Sequence, residues 1–259
     1  MRNAASWRPS KYRLAAGRLR AALDPSEVQD GSLLVTELIA MRYDRALARH
    51  CRGHLLDLGC GKAPLYGFYR DRVVSATTAD WPHSTHGADH VDQQVDLNGP
   101  IPLESERFDV IILSDVLEHL LRPQVLWGEM ARLLRPGGVL LLNVPFMYWL
   151  HEEPHDYHRY TEHALRAEAG AVGLHVLELE PVGGIREVLA DMLGKALGTV
   201  PLAGGQLARL IQRAAYWRYV ARGCPRGDQW PLLYFLVAQK PEADRRRNPE
   251  SSAPPKPAP

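Results

Sequence analysis

Residues 55–63, Leu-Leu-Asp-Leu-Gly-Cys-Gly-Lys-Ala, constrain this chain more than any other stretch: an apolar run breaks into two glycines separated by one residue. A strand that ends in such a turn lets the backbone approach a ligand closely, because glycine has no Cβ. A dinucleotide-binding turn would add a third glycine three residues after Gly61, but that position is Pro64, so the expected ligand lacks a diphosphate. Strand-like runs at 54–58, 73–79, 108–113, 139–144, 175–179 and 232–238 alternate with helical stretches, which is the rhythm of parallel βαβ units in an α/β fold. From Ser32 to His50, Leu34, Leu38, Met41 and Leu47 recur at helical spacing, predicting an amphipathic helix that covers one face of the sheet.

The 259 residues suffice for one α/β domain with excess at the ends. We expect a basic, partly ordered N-terminal leader over 1–30, one α/β domain over 31–240 with a helical insertion at 181–231, and a disordered tail over 241–259. In the leader, Leu14, Arg18, Leu19 and Arg20 predict a short surface helix. Residues 181–231 are too long for a simple connection and carry Leu207, Leu210, Ile211, Ala214 and Trp217 at helical spacing, so they should form helices of their own. The tail is rich in Pro, Ser, Arg and Glu and has too little apolar surface to order itself. A net charge of +1 argues against a dedicated nucleic-acid binder. Three widely spaced cysteines fit neither a disulfide framework nor a zinc finger, so a reducing cytoplasm is the expected compartment. No secretory signal is expected at the start, and no segment is apolar enough to span a bilayer.

Further polar residues fall where strands end. Asp80 closes the second run, roughly 20 residues past the glycines, where an acid can bond a ribose edge. Trp81 follows it and can lie against an adenine face or serve as a large core residue. The Asp96-Leu97 pair stands after a short run, where a carboxylate can accept from an adenine amino group. Residues 108–120, Phe-Asp-Val-Ile-Ile-Leu-Ser-Asp-Val-Leu-Glu-His-Leu, form a buried strand ending in polar groups at its carboxyl edge. A helix near 124–134 follows, then Arg135-Pro136-Gly137-Gly138 turns into the next strand. Taken singly, these glycines read equally well as turn formers and these aspartates as helix caps.

Taken in order, LLDLGCGKA, Asp80, Asp96-Leu97, FDVIILSDVLEHL and LLRPGGVLLLNVPF make the chain similar, over roughly residues 50–180, to class I S-adenosylmethionine-dependent methyltransferases of the small-molecule type 11 or 12 group. The resemblance implies a Rossmann-like three-layer sandwich whose seven-stranded sheet is mostly parallel with an antiparallel last strand. It implies S-adenosyl-L-methionine as cofactor, S-adenosyl-L-homocysteine as product, and no metal. By position, Asp57, Gly59, Cys60 and Gly61 would line the methionine end, Asp80 would take the ribose hydroxyls, and Trp81, Asp96 and Leu97 would face the adenine. Ser114 would offer backbone contacts, and His119 belongs to a motif that closes over the cofactor. Ala63 departs from the pattern, standing where many relatives carry a third glycine.

Residues 151–161, His-Glu-Glu-Pro-His-Asp-Tyr-His-Arg-Tyr-Thr, contain the H-E-x-x-H string of zinc peptidases. That chemistry needs both histidines on one face of a continuous helix, which Pro154 prevents. The stretch reads instead as a loop at the carboxyl edge, with Thr161 capping a helix through Ala169. In similar enzymes this region lies over the transferable methyl, making His155 and His158 candidate general bases; Arg159 and Tyr160 read as loop-packing residues. The expected reaction is methyl transfer to a small-molecule acceptor, foremost a hydroxyl oxygen on a natural product, sugar or lipid-linked glycan, without a nucleic-acid partner. Two alternatives keep the fold: a regulatory or scaffold protein that binds the cofactor without catalysis, and a peripheral membrane enzyme, motivated by the basic leader and by Arg209, Arg213, Arg218 and Arg222.

Overall fold

Alternating side chains on a central sheet divide the interior into two apolar layers. In this computed structural model, which describes residues 1–84, 87, 89–226 and 229–242, β3 (His54–Leu58) is an inner strand of a seven-stranded sheet. On one side run β4 (Ser75–Asp80) and β5 (Gln93–Gln94); on the other run β6 (Phe108–Ser114), β7 (Leu134–Pro145), β9 (Leu233–Gln239) and β8 (His175–Val182). The order β5-β4-β3-β6-β7-β9-β8 is parallel except for β9, which is antiparallel to both neighbours. The α/β sandwich and the antiparallel last strand are as the resemblance implied. The tail expected beyond 241 lies outside the described residues from 243 onward.

The period of two sorts the strands. Leu55, Val110, Ile112, Val139, Leu141, Phe235 and Val237 pack with α1 (Leu33–His50). Leu56, Leu58, Ile111, Leu113, Leu140, Leu142 and Leu236 pack against α3 (Pro123–Leu133) and α4 (Glu162–Ala171). Between β3 and β6 the strand order reverses, and such a switch point opens a crevice at the carboxyl ends of the strands.

Two local expectations are corrected. The leader does not place a surface helix at 14–20: β1 (Tyr12–Ala15) and β2 (Arg18–Ala21) form an antiparallel hairpin. Its turn residues Ala16 and Gly17 both have positive φ, 50° and 74°, as a two-residue hairpin turn of matching twist requires. Tyr12 and Leu19 are buried on α1, and Leu19 N donates to Asp44 at 2.8 Å, so a tertiary face rather than helical spacing decides this segment. Residues 135–138 are not a separate turn but lie inside β7, which absorbs them through a register shift opposite Phe108 and Val110. A Cβ on Gly138 would meet the Arg135 and Phe108 carbonyl oxygens at 2.9 and 3.0 Å, so that bulge needs glycine.

The stretch 181–231 holds two helices, α5 (Ile185–Gly198) and α6 (Gly204–Ala221). Val188, Tyr216 and Tyr219 pack with the buried face of α1, and one buried polar side chain reaches its first turn. Ser32 makes no side-chain cap on α1; instead Gln212 of α6 accepts the Leu34 N–H at 2.7 Å and donates to the Gly31 carbonyl at 2.5 Å. One of the first-turn donors that a helix cannot satisfy internally is thus met from across the molecule. Gln212 is fully buried. A Gln212→Leu variant keeps the volume but orphans both backbone groups, and chemical denaturation should show a loss on the order of 3 kcal/mol. A loss no larger than that of an exposed substitution would mean the clamp contributes little.

Candidate active site at the carboxyl edge of the sheet

Gly59 and Gly61 end β3 in the left-handed region, with φ of 64° and 51°. A Cβ on Gly59 would lie 2.3 Å from Val116 Cγ2, so the turn after β3 is pressed against the turn after β6. The Gly59 and Cys60 N–H groups both donate to the Ala79 carbonyl, at 2.8 and 3.3 Å. The Gly61 N–H donates to Asp80 Oδ2 at 2.8 Å and the Trp81 N–H to Oδ1 at 2.7 Å. The glycine turn, the acid ending β4 and the edge beyond Ser114 therefore adjoin one another. Ala63, the departure from the glycine pattern, has φ 50°, a conformation that costs a residue with a Cβ roughly 1–2 kcal/mol. Its methyl packs with Trp7, Cys60 and Val91, and Trp7 Nε1 donates to its carbonyl at 3.1 Å.

Asp57 lies beneath the turn, buried, with Tyr69 Oη donating to Oδ2 at 2.9 Å. Burial pushes its carboxyl up to about 7; the Tyr69 hydrogen bond restrains the rise and the nearby Asp80 charge adds to it. Burial, with the Asp57 and Asp80 charges, also pushes the Cys60 thiol well above its ordinary range, so it stays a neutral wall residue. Across the crevice, Asp115 follows Ser114 with φ 53°. It pairs with Lys11 Nζ at 2.9 Å and accepts from Asn143 Nδ2. Desolvation opposes the Lys11 charge, but the Asp115 carboxylate outweighs it and raises the ammonium's pKa. Lys11 and Asn143 were missed by sequence reasoning: nothing in the chain relates Lys11 to a partner 104 positions away.

The remaining candidates separate. Trp81 is half-buried, its ring edge-on to His155 at 5.4 Å. Asp96 is exposed and accepts from Asn98 N at 2.9 Å, whereas Leu97 is buried in the core. His119 ends a short turn, Leu117–His119, and its Nδ1 lies 2.6 Å from the His155 carbonyl oxygen. His155 is exposed, with Nδ1 2.9 Å from Tyr157 Oη. His158 is half-buried, and its buried Nε2 has no hydrogen-bond partner among the described residues. The H-E-x-x-H string forms no helix, as Pro154 implied. Arg159 grips both oxygens of Asp156, and Tyr160 Oη donates to the Leu117 carbonyl at 3.3 Å, so both fasten the loop. Thr161 Oγ1 accepts the Ala164 N–H at 3.2 Å, as the expected cap.

A separate groove of about 1000 Å³ runs between α1 and β8, lined by Arg18, Arg45, Arg49, Glu178 and Glu180, and includes none of the residues above. Within it Arg45 pairs with Glu180 and Arg49 with Glu178.

A methyltransferase domain profile matches residues 11–179. The malonyl-acyl-carrier-protein O-methyltransferase of Enterobacter lignolyticus is 26% identical over 221 residues, spanning 78% of this chain and 84% of that protein. Among solved structures, the 4+2 cyclase SpnF superposes with a TM-score of 0.56 at 20% identity, covering 91% of this chain and 88% of that one. A methyltransferase from Archaeoglobus fulgidus gives a TM-score of 0.53 at 16% identity, covering 79% and 94%. At these identities the structural likeness is one of fold, and a neighbour named a cyclase illustrates that fold alone does not choose a reaction.

The Asp57 environment has a measurable consequence. Its carboxyl moves from 3.8 in an unfolded chain to about 7 in the fold, so the native state loses stability as pH rises between those values, by on the order of 4 kcal/mol. Asp57→Asn removes that loss. Urea unfolding should show the variant gaining on the parent from pH 4 to pH 8; parallel profiles would refute the shift.

Proposed function

This chain belongs to the methyltransferase domain family, among class I S-adenosylmethionine-dependent enzymes of the type 11 and 12 group, and from that membership we propose that the crevice at Gly59, Gly61, Asp80 and Ser114 holds the cofactor. The observation that carries the reading is the Asp80 carboxylate, held by the Gly61 and Trp81 N–H groups where turn and strand end meet. The residues fit such a ligand. Gly59 has no room for a Cβ, so backbone lines the wall, and two neighbouring acids, Asp57 and Asp80, suit a molecule with a diol and a cationic end. Asp57, Gly59, Cys60 and Gly61 face the methionine end, Asp80 accepts from the ribose hydroxyls, and Trp81, Asp96 and Leu97 border the adenine. Ser114 contributes backbone, and His119 closes the far side.

When bound, S-adenosylmethionine supplies an electrophilic methyl on a sulfonium. The chain's residues then have three tasks: align the acceptor, keep water out, and take a proton from a hydroxyl acceptor. His155, beside Trp81, and His158, whose buried Nε2 has no hydrogen-bond partner among the described residues, are the proposed bases. Helices α5 and α6, inserted before β9, close the acceptor side, and the acceptor is a hydroxyl of a natural product, sugar or lipid-linked glycan.

A second reading, attachment to a membrane surface, is favoured by one observation. Leu189, Met192 and Leu193 of α5 and Leu207, Leu210 and Trp217 of α6 are exposed, beside exposed Arg213 and Arg218. Arg209 and Arg222 are instead paired with Asp30 and Glu187. No helix among the described residues is long and apolar enough to cross a membrane, so the contact would be peripheral. Flotation with anionic vesicles should carry the protein upward and Leu210→Glu should abolish it; flotation unchanged by that substitution excludes this surface.

Calorimetric titration with S-adenosylhomocysteine should show one site, weakened about 100-fold by Asp80→Ala through loss of two charge-assisted hydrogen bonds. Folded protein that releases no heat on titration would overturn the reading. Incubating cell extract with methyl-labelled cofactor then separates enzyme from scaffold: a labelled product identifies acceptor and atom, and binding without product indicates the scaffold. If His158 is the base, His158→Ala should slow turnover about 10²–10⁴-fold.

A further inference from the structure

Beside the crevice, three side chains from two separate loops turn their donor atoms toward one point. Glu118 has no exposed surface, and neither of its carboxylate oxygens has a hydrogen-bond partner among the described residues. A fully buried carboxylate without partners is costly and calls for a counter-charge. Its Oε1 lies 3.7 Å from His151 Nε2 and 3.8 Å from His119 Nε2. Those separations exceed a hydrogen bond and approach the ~3.4 Å edge of a tetrahedral site with metal–nitrogen bonds of about 2.1 Å.

The far nitrogens of both rings are engaged in the manner of metal-ligating histidines. His119 Nδ1 faces the His155 carbonyl oxygen at 2.6 Å. A carbonyl only accepts, so Nδ1 carries a proton, and Nε2 is the ring nitrogen left to face Glu118 or a metal ion. That Nε2 is buried and unpartnered among the described residues. His151 Nδ1 lies 3.2 Å from Asp156 Oδ2, and Asp156 is itself clamped by Arg159. Carboxylate to imidazole to cluster is the outer-shell chain that orients a histidine on a metal.

We propose that Glu118, His119 and His151 form a binding site for a divalent transition-metal ion beyond the Ser114 end of β6. Two imidazoles and one carboxylate favour zinc, cobalt or iron over the oxygen-seeking magnesium and calcium. Three protein ligands leave a coordination position for water or an acceptor oxygen. This departs from the metal-free expectation drawn from the family resemblance. It does not rest on the methyltransferase reading, because the ligands are side chains of this chain and the test reads metal rather than turnover.

Full-length, tag-free protein stripped by a chelator is titrated with Co²⁺, following visible ligand-field absorption, and then with Zn²⁺ in competition. One Co²⁺ per chain is expected, displaced by Zn²⁺ and not by Mg²⁺. His151→Ala and Glu118→Gln should weaken binding at least tenfold, and Asp156→Asn, acting through His151, by about 10–100-fold. Thermal melts establish that each variant is folded; if Glu118→Gln is not, His151→Ala and Asp156→Asn carry the test. No Co²⁺ absorption by folded protein, or affinity unchanged in folded His151→Ala, overturns the site in favour of a plain histidine–glutamate ion pair. An S-adenosylhomocysteine titration on the same sample scores the cofactor reading separately.

Discussion

The carboxylate of Asp80, receiving the Gly61 N–H, is the contact on which the rest of the site depends. It ties the turn after β3 to the end of β4, and that turn can be tight only because Gly59 leaves room for Val116. Two loops from different strands thereby share one wall at the switch point of the sheet, where folds of this class open their ligand crevice. The same closeness places Asp57 beneath a second acid in a buried setting, which is why its proton is held toward neutrality. The local instability has its cause here: a carboxylate kept away from water, with a second acid nearby.

Around that wall the chain uses distant segments as braces. Trp7 donates to the carbonyl of Ala63, and Lys11 reaches Asp115 from the start of the hairpin. The N-terminal segment therefore works as part of the site's frame, holding the turns after β3 and β6 from outside the sheet. The loop following β7 is braced differently, by the Arg159–Asp156 pair and by Glu118, whose backbone carbonyl accepts from Tyr157 N at 2.8 Å.

What could be read from the sequence was whatever repeats locally. The period of two in β6 and β7 and the glycines at 59 and 61 reveal strands and turn without reference to the rest of the chain. Asp80 was legible for the same reason, since it ends a strand at a set distance from the turn. The hairpin was not, because Tyr12 and Leu19 face inward only once α1 is present, and Ala16-Gly17 is a weak turn signal. The cluster of Glu118, His119 and His151 was equally hidden. The H-E-x-x-H spacing draws the eye to His155, whereas His151 finds its neighbours more than thirty positions earlier, and the His155 backbone, not its ring, supports His119.

Gln212 carries a lesson for anyone recombining such proteins. Because its amide closes the open end of α1, the α5–α6 module cannot be lifted out and replaced as if it were decoration. Gly31 is part of the same joint, since a Cβ there would strike the Lys195 backbone at 2.9 Å. A chimera that swaps 181–231 would have to bring its own version of residues 30–34, so this module and the scaffold beneath it are inherited together.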